Sequence, residues 1–494
     1  MDPANLEDWG QRLRRLLIVV LALFGVLLLR LFYLQVTTSA DYARESEENR
    51  IAQKRIKAPR GRILDRRGHV LAQNRASYTI IMNRTTAERD AQAAAALEEA
   101  IGGPPLRYTR KQPIIPLKRD VDFRTVCIVE ERLGQEWSLD VEIEPQRDYL
   151  YGPLFAHLVG YMGELQEEEL ATPRPRRYTV GDYIGKTGVE RVYEDVLRGD
   201  DGVRFIEVDA RHRIKDEFPF PERERPARPG QDLVLTVDLD LQRAAYEGLP
   251  DSLAGSVVAL DARTGAVLAM VSKPSFDPNA FVSFQAQVER RSLVQDGARP
   301  LLNRATQGQY PPGSTFKMVA AVAALEAGVT DTLSSFPPCR GSLEVGNAVF
   351  RCHDRDGHGA LNLLGALEAS CNVYFLHLGQ VLGIEAWHDC AARFGFGQPT
   401  GLVLQPEEMD GLLPSRQYYT RGEGWAGGHL MNLVIGQGAL LVTPVQMARY
   451  AAALANGGYL VTPHVRGPAP PPERIPGVSP ATIDIVRRGM RRVV

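Results

Sequence analysis

The stretch Y-P-P-G-S-T-F-K-M-V-A-A-V-A-A-L-E-A-G, from Tyr310 to Gly328, carries the strongest indication of fold and chemistry in this chain of 494 residues. Two prolines and a glycine form a rigid lead-in, and an apolar helix is predicted from Ser314 to Ala327, closed by Gly328. Ser314 and Lys317 are three residues apart, so both side chains fall on one face within a turn. A serine becomes an effective nucleophile when a base takes its proton, and burial can lower the pKa of a lysine enough for that role. The spacing therefore predicts a serine nucleophile with a lysine base.

A second polar element lies downstream in A-L-E-A-S-C-N-V-Y-F-L, where Ser370 and Asn372 occupy a short link between two predicted helices. A second hydroxyl can pass protons between the base and the leaving group, and an amide can hold a substrate carbonyl. Each motif alone has a plain structural interpretation: a capping serine with an incidental surface lysine, or a chance Ser-x-Asn. Both together, in this order on one chain, indicate a single catalytic site.

The N-terminus predicts a membrane anchor at residues 16–36. The run from Leu16 to Leu29 is uninterrupted and apolar, and with the residues up to Val36 it is long enough to span a bilayer as a helix. Basic residues precede it and acidic residues follow it: Arg12, Arg14 and Arg15, then Asp41, Glu45, Glu47 and Glu48. This asymmetry predicts a cytoplasmic tail at 1–15, with the remaining chain exported. The alternative is a signal peptide cleaved near Thr38-Ser39-Ala40, but the apolar run is longer than a usual signal-peptide core.

The remaining chain has the composition of a folded protein with two or three domains. It is 44% hydrophobic, and its net charge of -2 gives no indication of a nucleic-acid partner. Short strands and helices separated by tight turns predict a mixed α/β pedestal at 37–225. A proline-rich, charged boundary runs from Phe218 to Gly230, and residues 231–494 open with strands, including a hairpin at Gly255–Val271, before helical patterns dominate. The whole is expected to be an α+β protein.

The segment V-G-D-Y-I-G-K-T-G-V-E, from Val180 to Glu190, contains a Gly-Lys-Thr-Gly that two catalytic motifs share. A phosphate-binding loop requires a glycine five residues before the Gly-Lys-Thr, and Val180 stands there instead. A nucleotide site is therefore not expected. The other possibility, a Lys-Thr-Gly strand at a serine active site, depends on the family to which the chain belongs.

Several motifs together resemble those of the penicillin-binding proteins. Ser314-Thr-Phe-Lys317 and Ser370-Cys-Asn372 look like the first two motifs of that family. The segment from Arg60 to Gly68, R-G-R-I-L-D-R-R-G, resembles the start of the pedestal in the monofunctional, class B members. Gly185 to Glu190 also resembles a pedestal element of that class, so its Lys-Thr-Gly is interpreted as a structural turn. N-R-A-T-Q-G-Q-Y-P-P-G-S-T-F-K is most similar to the elongation-type members, and Ile435–Gly438 and Thr443–Ala448 resemble the same transpeptidase domain.

The resemblance implies a D,D-transpeptidase that crosslinks peptidoglycan during cell elongation. Ser314 would attack the penultimate D-alanine carbonyl of a stem peptide, with Lys317 as base, Ser370 as proton relay and Asn372 as substrate contact. The implied fold is a penicillin-recognising domain at 231–494, an antiparallel sheet flanked by helices. The implied partners are D-Ala-D-Ala stem peptides, β-lactams, the membrane, a polytopic glycan polymerase and elongation scaffold proteins. The implied location is the bacterial inner membrane, with the catalytic domain in the periplasm.

One departure from the family pattern concerns its catalytic Lys-[Ser/Thr]-Gly strand, which is expected after the helix that begins at Ser479. The sequence ends at Val494, before that strand, so we expect the domain to be incomplete here and the activity to belong to the complete enzyme. A β-lactamase or β-lactam sensor shares the fold but does not need a pedestal of this length. A non-catalytic scaffold is the other alternative.

Five cysteines leave three alternatives open. Cys339, Cys352, His358 and Cys371 form a set of the Cys₃His type that structural zinc favours. Some elongation-type relatives are similar in holding a metal between this loop and the second motif. The other interpretations are a disulfide between Cys339 and Cys352, across the hairpin predicted between them, or free thiols. Cys127 and Cys390 are expected to be ordinary core residues.

Overall fold

The computed structural model describes residues 3–37, 51–83, 85–102, 114–133, 137–166, 169, 178–179, 182–208, 214–217, 224–283, 287–404, 406–422, 424–468 and 470–494. The α-helices are α1 Pro3–Phe32, α2 Ala87–Ile101, α3 Phe123–Ile128, α4 Ala156–Val159, α5 Gly188–Val192, α6 Glu194–Leu197, α7 Leu239–Gly248, α8 Asn279–Val282, α9 Gln287–Gln295, α10 Lys317–Glu326, α11 Leu363–Glu368, α12 Asn372–Leu382, α13 Ile384–Arg393, α14 Arg416–Arg421, α15 Gly427–Val434, α16 Pro444–Ala455 and α17 Pro480–Arg491. The strands are β1 Ile51–Ile56, β2 Ile63–Leu64, β3 Val70–Asn83, β4 Ile114–Val121, β5 Leu139–Tyr149, β6 Met162–Glu164, β7 Tyr183–Gly185, β8 Gly202–Val208, β9 Ile214–Glu217, β10 Leu233–Val234, β11 Gly255–Leu260, β12 Val267–Lys273, β13 Ser342–Val345, β14 Ala348–Arg351, β15 Tyr459–Leu460 and β16 Glu473–Arg474.

Helix α1 and the π-helical turn that follows it, Tyr33–Thr37, carry the apolar segment Leu16–Val36, whose mean hydropathy is 2.7 and whose side chains are unburied. Among the described residues it is the one helix long and apolar enough to cross a membrane. Most leucines, valines and phenylalanines of this segment are exposed. A lipid environment would cover them, which fits the predicted anchor. The acidic flank and the alternative cleavage site, at 38–48, lie outside the described residues.

One compact unit comprises residues 1–58, 77–144 and 200–228. The helix α2 begins at the capping residue Thr86 and buries Ala93, Ala94 and Leu97 along one side. That side joins a small core with residues of β3 and β4, which pair antiparallel. A separate antiparallel sheet has the order β1-β8-β9. The prediction that Cys127 is a core residue is wrong: it is exposed on the short helix α3, where the adjacent Val126 takes the buried position.

The other unit comprises residues 59–76, 145–199 and 229–494, and it holds two apolar cores. The first core gathers Ile63, Leu233 and Val267 among others, where β10 pairs parallel with β2. The hairpin predicted near Gly255–Val271 is present as β11 and β12, in antiparallel register. The second core is helical and centres on α10, which is buried on every side from Val319 to Ala324. Cys390 lies in this core, as expected.

A buried ion-pair network holds the pedestal motifs of this unit together. Arg60 contacts both Glu190, at 2.8 Å, and Glu194, at 2.8 Å. Arg147 contacts the other carboxylate oxygen of Glu190 at 2.6 Å and donates to the Gly61 carbonyl at 2.8 Å. Two buried positive charges are thus matched by two carboxylates, and additional hydrogen bonds offset part of their desolvation. The network joins the Arg-Gly-Arg and Gly-Lys-Thr-Gly-Val-Glu segments that the sequence singled out.

Gly185 and Gly188 occupy positions in that second segment that a larger residue could not fill. A Cβ on Gly185 would lie 2.1 Å from the Glu190 carbonyl oxygen, and Gly188 has a φ of +60°. The segment is therefore a tight turn from β7 into α5. The turn explains why the Lys-Thr-Gly motif occurs here without forming a catalytic strand, and it agrees with the predicted structural turn.

Candidate active site

Ser314 lies on a 3₁₀ turn, Gly313–Phe316, that leads directly into α10. Its side chain is exposed, whereas the neighbouring Phe316 is fully buried in the helical core. The turn is fastened from behind, because the Gly313 N–H donates to the Gly436 carbonyl at 2.8 Å. The nucleophile predicted from the sequence therefore stands on a fixed turn with its hydroxyl open to solvent.

Lys317 is the first residue of α10, and only 2% of its surface is exposed. Its Nζ donates to three acceptors of the second motif: the Ser370 carbonyl at 2.6 Å, the Ser370 Oγ at 3.0 Å and the Asn372 Oδ1 at 2.7 Å. Burial lowers the pKa of Lys317 from 10.5 to about 8, although the nearby thiols of Cys352 and Cys371 act to raise it. A lysine with this pKa is neutral in a substantial fraction of molecules near physiological pH and can accept a proton.

Ser370 has a φ of +46°, in the left-handed region that residues with a Cβ rarely adopt. It stands just past the end of α11, where its N–H donates to the Leu367 carbonyl and the Cys371 N–H donates to the Ala366 carbonyl. This hydrogen-bond pattern closes a helix and usually has glycine at the left-handed position. A serine there is strained, and such strain is characteristic of functional positions.

Asn372 begins α12, and its side-chain amide is held at both ends. Its Oδ1 accepts from Lys317, and its Nδ2 donates to the Arg351 carbonyl at 3.1 Å. Arg351 is the last residue of the hairpin formed by β13 and β14. The hairpin thus fixes Asn372, and Asn372 in turn helps to fix the lysine.

The structure brings together the four residues Cys339, Cys352, His358 and Cys371. One ligand atom from each lies within 4.8 Å of all the others. His358 Nδ1 is 3.5 Å from Cys352 Sγ and 3.8 Å from Cys339 Sγ. Tetrahedral zinc with bonds of about 2.0–2.3 Å places neighbouring ligand atoms roughly 3.5–3.8 Å apart, so the donor set fits that ion.

The sulfur atoms of this cluster lie in unlike surroundings. Burial raises the pKa of Cys371 to about 12. Burial also acts to raise the pKa of Cys352, but N–H groups of Asn372 and Val373, at the start of α12, hold it below its usual value. Cys371 Sγ also accepts the Tyr374 N–H and so caps α12. All five cysteines are free thiols in the structure.

Two contributors to the site were not predicted from the sequence as parts of it. Gly436 belongs to the I-G-Q-G motif, and its backbone lies directly behind the nucleophile turn: a Cβ there would come within 2.0 Å of the Gly313 carbonyl oxygen. The other is the main-chain carbonyl of Arg351. No sequence pattern marks a main-chain acceptor, but a glycine close to a helix end does suggest a close backbone approach.

Known proteins and protein families match this chain along nearly its whole length. Residues 55–235 match the family model of the penicillin-binding protein dimerisation domain, and residues 255–494 match that of the penicillin-binding protein transpeptidase domain. The peptidoglycan D,D-transpeptidase MrdA of Escherichia coli strain K12 is 35% identical over 93% of this chain and 75% of its own length. The chain spans between 66% and 76% of the length of such curated relatives.

Solved structures agree with these matches. The penicillin-binding protein PBP2 of Helicobacter pylori, in a complex with MreC, superimposes with a TM-score of 0.79 at 25% identity, over 90% of this chain and 84% of that one. A second structure concerns the coordination of polymerization and crosslinking by a peptidoglycan synthase complex. It has a TM-score of 0.71 at 32% identity and covers 98% of this chain and 84% of that one. With its dimerisation domain, its transpeptidase domain and its elongation-type relatives, the chain belongs to the class B penicillin-binding proteins.

Proposed function

We propose that this protein is a peptidoglycan D,D-transpeptidase of the cell-elongation type and a target of β-lactams. The observation that carries the proposal is the contact of Lys317 Nζ with both Ser370 and Asn372, one turn after an exposed Ser314. A serine nucleophile with a buried lysine base and a second hydroxyl is one arrangement that can carry out acyl transfer.

In this proposal the reaction has two steps. Neutral Lys317 takes the proton of Ser314 as its Oγ attacks the carbonyl of the penultimate D-alanine, and the backbone N–H of Ser314 donates to the resulting oxyanion. The peptide bond breaks, and the proton passes through Ser370 to the amine of the leaving D-alanine. An amine from a neighbouring stem peptide attacks the acyl-enzyme ester, loses a proton to the same base and releases the Ser314 hydroxyl. β-Lactams would acylate Ser314 by the first step alone.

The test uses the protein produced from its intact gene, in membranes incubated with a fluorescent penicillin. Ser314→Ala should abolish labelling, because no oxygen remains to form the ester. Thr315→Val is the matched control, since it removes the neighbouring exposed hydroxyl and should leave labelling intact. Persistent labelling of the Ser314→Ala variant would place the nucleophile elsewhere.

The comparisons favour a transpeptidase over a β-lactamase or a β-lactam sensor of the same fold. The E. coli relative is named a transpeptidase, and the match to a dimerisation domain accounts for the long pedestal. A non-catalytic scaffold is the remaining alternative. The labelling experiment separates it from an enzyme, because a scaffold would bind no penicillin covalently in either variant.

We further propose that α1 anchors the protein in the bacterial inner membrane, with both domains in the periplasm. Its unburied apolar segment supports the anchor. The complex of the H. pylori protein with MreC, and the polymerization and crosslinking complex, support a scaffold protein and a glycan polymerase as partners. A phosphatase reporter fused after Val36 should be active only if that end is exported. Co-purification of the tagged protein with these two partners, lost when α1 is replaced by an unrelated span, would test the second part.

We also propose that Cys339, Cys352, His358 and Cys371 hold one structural zinc ion. The convergence of their ligand atoms supports this assignment. The ion would supply cross-links between the loop at 339–358 and the start of α12, and so steady the backbone on either side of Cys371. In the measurement, elemental analysis and thiol titration are applied to protein purified without chelator. About one zinc per chain, lost in Cys371→Ser and kept in the control Cys390→Ser, is the expected result. Absence of zinc with two fewer titratable thiols would instead indicate a Cys339–Cys352 disulfide.

A further inference from the structure

A cleft of about 530 Å³ lies far along the chain from the catalytic motifs, beside the outer edge of β10. Its walls are residues 234–236 on one side and the turn of Arg466 and Gly467 on the other, with Arg66 at the rim. β10 is the outermost strand in the order β10-β2-β3-β4. The cleft therefore borders an open edge of a sheet.

Within the described part of the chain, the backbone of β10 has its unpaired groups on the side of the cleft. The N–H groups of Leu233 and Leu235 donate to β2 and its flank, to the Arg62 and Leu64 carbonyls, at 2.8 Å each. Because successive residues of a strand direct their N–H and C=O groups to opposite edges, those of Val234 face away from β2. The next outward N–H, that of Thr236, already donates to the Val465 carbonyl at 2.9 Å. The outer edge of this segment is therefore paired with Val465 at Thr236, and the pairing does not continue to Val234.

The charge around the cleft is positive. Asp232 is neutralised by Arg62, whose guanidinium lies 2.6 Å from its carboxylate. Arg466 is positioned over the ring of Tyr193, 5.4 Å from its centroid. In the part of the chain that the structure describes, neither Arg66 nor Arg466 pairs with a carboxylate. Two exposed guanidinium groups thus frame an open strand edge whose Val234 side chain is 54% exposed.

We propose that this cleft binds an extended, acidic peptide segment of a partner protein by strand addition. The main chain of the segment pairs with the N–H and C=O of Val234, and its carboxylates contact Arg66 and Arg466. Main-chain pairing at a sheet edge supplies affinity in this mode of recognition, and side-chain contacts supply specificity. The guanidinium groups select carboxylates because they present several donors in a fixed plane.

The experiment titrates the intact protein in detergent with a fluorescent peptide, acetyl-Val-Asp-Val-Glu-Val-Asp-amide, by anisotropy. Arg66→Gln and Arg466→Gln should each weaken binding about two- to five-fold, the range for an exposed ion pair. Arg263→Gln removes the same charge from a side chain that is 87% exposed and outside the cleft, and should have no effect. Val234→Pro removes only an outward N–H, which an edge strand tolerates, and should also weaken binding.

Peptide variants test the pairing independently of the folding of Val234→Pro. A peptide with Asn and Gln in place of its acidic residues, and one N-methylated at the central valine, should both bind more weakly than the parent. Equal binding of the neutral peptide, or unchanged affinity in both arginine variants, would overturn the proposal. Equal binding of the N-methylated peptide, together with displacement of the parent by inorganic phosphate, would show a small-anion site rather than a strand-binding cleft.

Discussion

Gly436→Ala offers a sharp test of how the nucleophile turn is held. Gly436 has a φ of +73°, and an alanine in the left-handed region costs about 1–2 kcal/mol of folding free energy. Its new Cβ would also lie 2.0 Å from the Gly313 carbonyl oxygen, and real Cβ contacts essentially never fall below 3.0 Å. The two backbones must therefore separate by about 1 Å. Such a shift moves Ser314 relative to Lys317, and a misplacement of about 1 Å can cost roughly 10²-fold in rate.

The assay compares two variants that share the conformational strain. Gly438 has a φ of +76°, but a Cβ there would meet side chains and no backbone: Asn432 at 3.2 Å and Leu433 at 4.0 Å. Gly438→Ala should therefore lower the thermal unfolding midpoint only as far as the cost of a left-handed alanine, about 1–2 kcal/mol, would lower it. No catalytic group is displaced in this variant, so its activation free energy should change by much less than the ~1.4 kcal/mol that corresponds to a tenfold change in rate. Its rate of acylation by fluorescent penicillin should therefore stay within about a factor of three of the parent rate. Gly436→Ala should lower both the midpoint and the acylation rate.

The result that refutes this reasoning is specific. If Gly436→Ala unfolds at a lower temperature but acylates at the parent rate, the contact with Gly313 does not position the nucleophile. If Gly438→Ala loses acylation to the same degree, the loss follows from general destabilisation of this loop. In either case the close approach of the two glycine backbones would be a packing feature without a catalytic consequence.

Three further predictions follow from the site and from the pedestal. Ser370→Gly and Ser370→Ala both lose the hydroxyl and should both slow acylation, but the glycine variant should be more stable by about 1–2 kcal/mol because it relieves the left-handed strain; equal unfolding midpoints would contradict that strain. Burial lowers the pKa of Lys317 to about 8, so the acylation rate should rise with pH through about 8 and level off above it, and a flat profile would exclude Lys317 as the base. Glu190→Gln leaves the buried guanidinium of Arg147 without its carboxylate and should lower the free energy of unfolding by about 3–5 kcal/mol. Glu385→Gln, at an exposed ion pair, should lower it by at most about 1 kcal/mol. Similar losses in the two variants would contradict the argument that burial makes the difference.

The sequence was sufficient to predict the apolar helix near the N-terminus, the hairpin near Gly255–Val271 and the helix behind the nucleophile, because each depends on local apolar periodicity or on length. That last helix begins at Lys317 and not at Ser314 as predicted, because Gly313–Phe316 forms a 3₁₀ turn. The contact of Lys317 with Ser370 and Asn372 spans more than fifty positions along the chain. The spacing within either motif could not predict that contact; the presence of both motifs in order, and the family resemblance, predicted one shared site. The roles of these residues in catalysis stay predictions until the variants are measured.

Other features depend on tertiary packing, which leaves little trace in composition. Nothing in the sequence distinguishes Ser370, with its left-handed backbone, from an ordinary serine at the end of a helix. The group of Arg351 that accepts a hydrogen bond from Asn372 is its main-chain carbonyl, which any residue would supply. The wrong assignment of Cys127 has a similar origin. A helix of six residues is too short for periodicity to show which side faces the core.

The burial of α10 on every side has a consequence for the evolution of drug resistance. Its interior positions are alanines and valines that touch neighbours all round, so a larger side chain there would force the helix off its supports. Under β-lactam selection, the helix behind Ser314 therefore offers few viable changes. Substitutions that alter the response to inhibitors are expected instead where side chains are free to vary, such as the exposed positions of the β13–β14 hairpin.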